Sequence, residues 1–241
     1  MVSDAEHLVV LHAVRLRSLA GPESIAERTG CTVDAVRSVL DDARARGFVV
    51  ERTGRMTGWS LTAAGREHGL RLLAAELDER GARPAVERAY AAFVGVNQRF
   101  LEVCTAWQLR GEGEVNDHSD PEHDAAVLAQ LQPLHRVVVE DVTEAAGAVL
   151  ERFAGYPARF EHALARLTAG DLDWFTRPLI DSYHTVWFEL HHDLLATLGL
   201  DREAERRAAR NRPSEEPVHA TSTGRGQTGG VGTTAGTAVE E

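Results

Sequence analysis

The sequence predicts a mainly helical chain. An N-terminal unit of three short helices and a β-hairpin precedes an all-α bundle, and the chain ends in a disordered tail. Three observations carry this expectation. Apolar residues recur every three or four positions through most of residues 4–200; that period breaks only once for long, over residues 48–61; and it stops altogether after about residue 210.

The elements follow in order. "DAEHLVVLHAVRLRSL" places Leu8, Leu11, His12 and Arg15 at helical spacing, with Asp4 as the expected cap. In "GPESIAERTG", Pro22 suits a first helical turn and Gly30 a left-handed stop. In "CTVDAVRSVLDDARARG", Val36, Val39, Leu40 and Ala43 form one apolar face, Thr32 is placed to cap, and Gly47 ends the helix. "FVVER" and "WSL" are short β-type runs joined by the glycine-flanked loop "TGRMTG", with Arg55 at its tip. "TAAGREHGLRLLAAELDERG" returns to a helix capped by Thr62.

The second half is helical. "RPAVERAYAAFVGVNQRFLEVCTAWQLRG" starts at Pro84 and repeats Ala89, Phe93, Val96, Phe100, Val103 and Trp107 on one face. "GEGEVNDHSDP" interrupts it, with Asp120–Pro121 as the next helix start. The following helix carries Pro133 as a break or kink. "YPARFEHALARLTAGD" and "RPLIDSYHTVWFELHHDLLATLGL" supply the last two, the latter read as one helix over residues 177–200. Residues 211–241 are rich in Gly, Thr and Ser and lack the apolar side chains that would offset their ordering entropy. The expected domains are 1–82, 83–210 and a tail over 211–241.

Composition narrows the function classes. No apolar run approaches the roughly 18–20 residues that span a bilayer, and the first residues lack the pattern of a signal peptide. The expectation is a cytoplasmic protein with no membrane partner. The two cysteines, Cys31 and Cys104, lie far apart and read as reduced thiols. The formal net charge is −11, most of it in residues 83–212, so bulk charge will not attract nucleic acid. DNA binding would need a local arrangement of arginines.

Such an arrangement is suggested by the first 82 residues. Helix, helix, helix, hairpin, helix with short connections is the order of a winged helix-turn-helix. "SIAERTGCTVDAVRSVLDDARARGFVVER" followed by "GWSLTAAGRE" resembles the MarR-type winged-helix regulators. That resemblance implies sequence-specific binding of a double-stranded DNA operator. On the exposed face of the third helix, Asp34, Arg37 and Ser38 are the expected base readers, with Thr32 at its start. Arg28, Arg44, Arg52 and Arg55 are the expected phosphate contacts. Asp34, Asp41 and Asp42 put negative charge on the same surface, which favours the alternative of an adaptor that uses this unit for protein contact.

In the second half, "TAWQLR", "NDHSDP", "HALARLTAGD" and "DSYHTVWFELHHDLL" resemble a helical module of actinobacterial MarR-like regulators, and similar stretches occur in proteins related to phosphoenolpyruvate-utilising enzymes. No phosphoryl-transfer role follows, because the catalytic domains of those enzymes are absent. The leading reading is a transcription regulator, homodimeric to match a two-fold operator. Its helical domain would bind a small-molecule effector. Trp107 and Trp187 would form the walls of that pocket, with Gln108, Arg110, Asn116, Asp117, His118, Asp181 and His184 as polar anchors. Asp181, one turn before His184, would orient the imidazole and favour its charged form. If the 116–124 loop folds over the last helix, His118 and Asp120 would approach this pair.

An enzyme is not expected. There is no glycine-rich phosphate loop, nucleophile elbow or HExxH, and adjacent His191 and His192 point about 100° apart on a helix. A metal-dependent hydrolase remains the minor alternative, and no cofactor or metal ligand is assigned.

Overall fold

The computed structural model describes residues 2–111 and 113–200, and it is mainly helical with two small antiparallel two-stranded sheets. The expected tail over 211–241, and the end of the expected second domain, lie outside the described residues. Among the described residues, no helix is long and apolar enough to cross a membrane.

The first helix, α1 (Asp4–Arg17), is capped by Ser3 and not by Asp4. The Ser3 hydroxyl accepts from the Glu6 amide at 3.3 Å, and the Glu6 carboxylate accepts from the Ser3 amide at 2.8 Å. This reciprocal pair satisfies two amides that a helix start otherwise leaves open. α2 (Pro22–Thr29) begins on Pro22 and stops at Gly30, whose φ of 71° only glycine adopts without cost. α3 (Val33–Ala45) follows, with the Thr32 hydroxyl accepting from the Ala35 amide at 3.2 Å and Val36, Val39, Leu40 and Ala43 buried.

β1 (Val49–Arg52) pairs with β2 (Gly58–Leu61) in a register that sets Val49 opposite Leu61 and Arg52 opposite Gly58. Trp59 also bridges to Ala20, which ties the hairpin to the α1–α2 turn. α4 (Ala63–Glu79) starts on Thr62, whose hydroxyl accepts from the Gly65 amide at 3.0 Å. Gly65 lies so close to the Phe48 backbone that a Cβ would stand 1.9 Å from the Phe48 carbonyl oxygen.

α5 (Arg83–Gln108) is the longest helix, buried along Val86, Ala89, Phe93, Phe100, Val103 and Trp107. It ends in a hairpin of β3 (Leu109–Arg110) and β4 (Glu114–Val115). α6 (Pro121–Arg136) is capped by Asp120 and includes Pro133, so no break occurs there. The departure from α geometry comes just beyond, as π-helical turns over Val137–Glu144 that pass into α7 (Ala145–Gly147). A short 3-10 turn (Glu151–Phe153), α8 (Tyr156–Thr168) and α9 (Asp173–Thr176) follow.

α10 spans Tyr183–Leu198, six residues later than expected at its start. Pro178 disfavours helical geometry at the residue before it, and Arg177 sits at φ −60°, ψ 124°. The helix begins only where the Ser182 hydroxyl can cap it by accepting from the Thr185 amide. Asp181 therefore precedes α10 instead of lying on one of its faces.

Buried apolar side chains form two clusters. One is drawn from α1, α2, α3 and the β1–β2 hairpin, around Leu11, Ile25, Leu40 and Trp59. The other runs from Leu77 to Leu198 and centres on Phe93, Phe100, Phe160, Tyr183 and Trp187. α10 packs against α4, α5, α8 and α9, and also touches α1. That position places one side of α10 against the N-terminal unit.

Candidate functional sites

Among the described residues, the candidate sites include the exposed face of α3 with its hairpin, a charged seam between α10 and the N-terminal helices, and a groove beside α6 and α8.

On α3, Thr32, Asp34, Arg37 and Ser38 are exposed, as are Arg44 on the same helix and Arg52 and Arg55 on the hairpin. Several are paired within the chain. Arg37 donates to Glu23 at 2.8 Å and lies 3.8 Å from Asp34. Arg44 approaches Glu51 at 3.5 Å and stands over the Trp59 ring, and Arg52 Nε donates to the Ser60 hydroxyl. Thr32 spends its hydroxyl on the cap. Arg28 departs from its expected place among the phosphate contacts. It is only 10% exposed, and Glu189 on α10 takes its charge at 2.6 Å.

That pair belongs to the seam, whose parts sequence reasoning did not assemble. Asp193 is 1% exposed and sits at its centre. It accepts from Arg152 and from the Tyr156 hydroxyl at 3.0 Å, and its Oδ1 lies 2.9 Å from His12 Nε2. Arg152 also donates to Glu76 at 2.9 Å and to the Thr197 hydroxyl at 2.7 Å. One turn before Asp193, Glu189 binds Arg28 from one side and accepts from Arg159 at 3.0 Å from the other. Arg159 reaches on to Asp181 at 2.8 Å, and Arg17 meets the same carboxylate at 3.3 Å. Four arginines thus face four carboxylates, with His12, Arg17, Arg28 and Glu76 from the N-terminal helices and the rest from the C-terminal ones.

The charges hold one another ionised. Burial pushes the Asp193 carboxyl up, but His12, Arg152 and Arg28 overcome it and leave the group well below the usual carboxylate range. Asp181 is lowered in the same way: burial opposes, and Arg159, Arg17 and Arg28 win. Burial opposes the charge of Arg159 too, yet Asp181 and Glu189 raise it above the usual guanidinium value. Replacing such a network by apolar groups is often neutral, whereas removing one member strands a buried charge. The seam therefore links the two halves of the chain through buried, mutually paired charges.

The expected effector residues divide between two places. Trp107, Asn116 and His118 do come together. The Asn116 amide donates to the Trp107 carbonyl at 3.0 Å and to Asp124 at 2.8 Å, and His118 Nδ1 lies 3.0 Å from Asp124. The His118 ring stands 4.5 Å from that of Trp107. Arg110 and Asp117 pair nearby at 2.6 Å, and Gln108 is exposed just before the hairpin. Asp181 is held in the seam instead, so the expected Asp181–His184 pairing is replaced by Asp181–Arg159. His184 stacks on Phe100, and burial lowers its basicity, the reverse of the expected preference for the charged form. Trp187 is a core residue, stacked on Phe100 at 4.0 Å with its indole N–H donated to Asn97.

A groove of about 470 Å³ opens between α6 and α8. Leu128, Leu164, Leu167 and Leu172 give it an apolar lining, to which His118 and Asp124 add polar groups. His118 is the only expected effector residue that lines it. Comparison of the chain with family models, curated proteins and solved structures finds no match.

Proposed function

We propose that the chain is a DNA-binding transcription regulator of the winged-helix kind, in which the helical half receives a small-molecule effector and supplies the contacts of a homodimer. One observation carries this reading. The order α1, α2, α3, hairpin, α4 leaves the start of α3 exposed with Asp34, Arg37 and Ser38, beside a hairpin tipped by exposed Arg55. A helix presented in that way offers its first turns to base edges, and a flanking arginine grips phosphate. The effector's seat in this reading is the α6–α8 groove, which suits a molecule with an apolar body and one polar group for His118 and Asp124.

The internal pairing of Arg37 with Glu23 and of Arg44 with Glu51 supports a second reading, an adaptor that meets protein through the same face. In-vitro selection of DNA by the full chain decides between them. A regulator recovers a shared sequence, and its binding constant falls linearly with salt on a logarithmic scale. Arg55→Ala should then flatten that slope by about one unit. No enriched sequence and no salt-dependent binding would leave the adaptor.

A further inference from the structure

The first helix and α4 hold a cluster of metal-type ligand atoms that neither reading uses. Asp4 and His7 stand one turn apart on α1, and His68 faces them from α4. One ligand atom from each lies within 4.8 Å of the other two. His7 is completely buried; its Nδ1 has no hydrogen-bond partner, and its Nε2 faces the Asp42 carboxylate at 3.0 Å. The Nε2 of His68 is likewise buried without a partner. A buried imidazole nitrogen left unpaired is costly, so a group that engages His7 Nδ1 and His68 Nε2 would find its site prepared.

We propose that Asp4, His7 and His68 bind a divalent cation of the zinc class. The donor set is one carboxylate oxygen and two imidazole nitrogens, the borderline ligands such ions prefer over the all-oxygen shells of magnesium or calcium. A second carboxylate stands where such a site needs it. Asp42 Oδ2 lies 3.0 Å from His7 Nε2, in place to hold that ring by its outer nitrogen while the other turns to the ion. The rings are already fixed. His68 stacks on Phe48 with centroids 4.3 Å apart, and His7 meets His68 edge-on at 6.0 Å. Donors around a tetrahedral zinc ion stand about 3.3 Å apart, given its bond lengths. Asp4 is exposed and free to swing inward by the remaining distance, and water completes the shell.

The site fastens the start of α1 to α4, independently of any DNA or effector. Its test uses the full chain stripped by chelator, then dialysed against zinc chloride or cobalt chloride. One equivalent of zinc per chain, a visible ligand-field band with cobalt, and a higher melting temperature with zinc are expected. Asp4→Asn, at an exposed position that leaves the fold intact, and His68→Gln should each weaken uptake by at least about tenfold and dim the cobalt band. His192→Gln should change neither. If the wild-type chain takes up no zinc, or if Asp4→Asn and His68→Gln bind it as tightly as wild type, the site is wrong. Should His68→Gln fail to fold, Asp4→Asn alone decides.

Discussion

Replacing Asp193 by Asn tests the seam at its centre. The change keeps the shape of the side chain and one acceptor oxygen. It removes the charge that faces His12 and Arg152, and it puts an N–H where the Tyr156 hydroxyl or Arg152 now donates. Removing one member of a buried ion pair costs about 3–5 kcal/mol. Arg152 retains Glu76 at 2.9 Å, which places this case near the lower end, about 3 kcal/mol. In a folded unit of this size each kcal/mol moves the melting temperature by about 2–4 °C, so the variant should melt about 6–12 °C below wild type at neutral pH. The pH dependence has a definite sign. The folded-state pKa of Asp193 is depressed, so its contribution is complete above the unfolded value and is lost as pH falls through the folded one. With an unfolded value of about 3.9, the advantage of the aspartate should shrink by about 1 kcal/mol on going from neutral pH to pH 3. Thermal melts followed by circular dichroism at both pH values measure it. A variant within a degree or two of wild type at neutral pH, or a difference unchanged at pH 3, would refute the account of the seam.

Further outcomes follow from single features. Gly65→Ala drives a methyl group into the Phe48 backbone at 1.9 Å and should cost about 1–3 kcal/mol or more by overpacking, read as a lower melting temperature; unchanged stability would mean that α4 and the hairpin are not packed this closely. Burial pushes the Cys104 thiol up to about 12, so at pH 8 it stays protonated and slow towards Ellman's reagent, while half-exposed Cys31 reacts fast. Cys31→Ser should abolish the fast phase, and two fast thiols in the wild-type protein would contradict the buried position. Ala129→Trp, at an exposed lining position, should fill the α6–α8 groove, lower the affinity of an apolar fluorescent dye by about tenfold, and leave stability within about 0.5 kcal/mol. Undiminished dye binding would place the apolar site elsewhere.

Much of the fold was legible because it rests on local chemistry. Thr32, Thr62, Asp120 and Gly30 announce helix ends through hydrogen bonds made within a few residues, and the apolar period marks the buried faces of α3 and α5. The start of α10 was misplaced because periodicity continues through residues 177–182 while Pro178 and the Ser182 cap decide the boundary. The β3–β4 hairpin escaped notice because two-residue strands are too short to show alternation. The Trp107–Asn116–His118 group was readable, since its partners lie close in sequence. The seam was not, because Asp193 meets His12 and Glu189 meets Arg28 across most of the chain. One signal did exist: Glu189 and Asp193 stand one turn apart among the apolar residues of α10, where a buried carboxylate needs a cationic partner. The cation candidates on α1 and α2 carry no mark that separates them from surface arginines.

Groove and seam are joined by one element. Tyr156 and Arg159, at the start of α8, reach Asp193, Glu189 and Asp181, while Leu164, Leu167 and Thr168, towards its end, line the groove. The helix is 13 residues long, about 20 Å at 1.5 Å per residue. In the proposed regulator, an effector in the groove would shift the protein only by its difference in affinity between two arrangements of that helix. A micromolar ligand has about 8 kcal/mol in all, and most of that is common to both arrangements. Breaking a single buried pair of the seam costs about 3–5 kcal/mol, and α8 contributes to several. Rupture of the seam is therefore out of reach for such a ligand. A tilt of α8 that keeps Arg159 on Glu189 would be within it, and through Glu189 it would reach Arg28 on α2, the helix whose Glu23 holds Arg37. In the proposed regulator, signal would then travel as a small rigid shift of intact ion pairs from the groove to the face of α3.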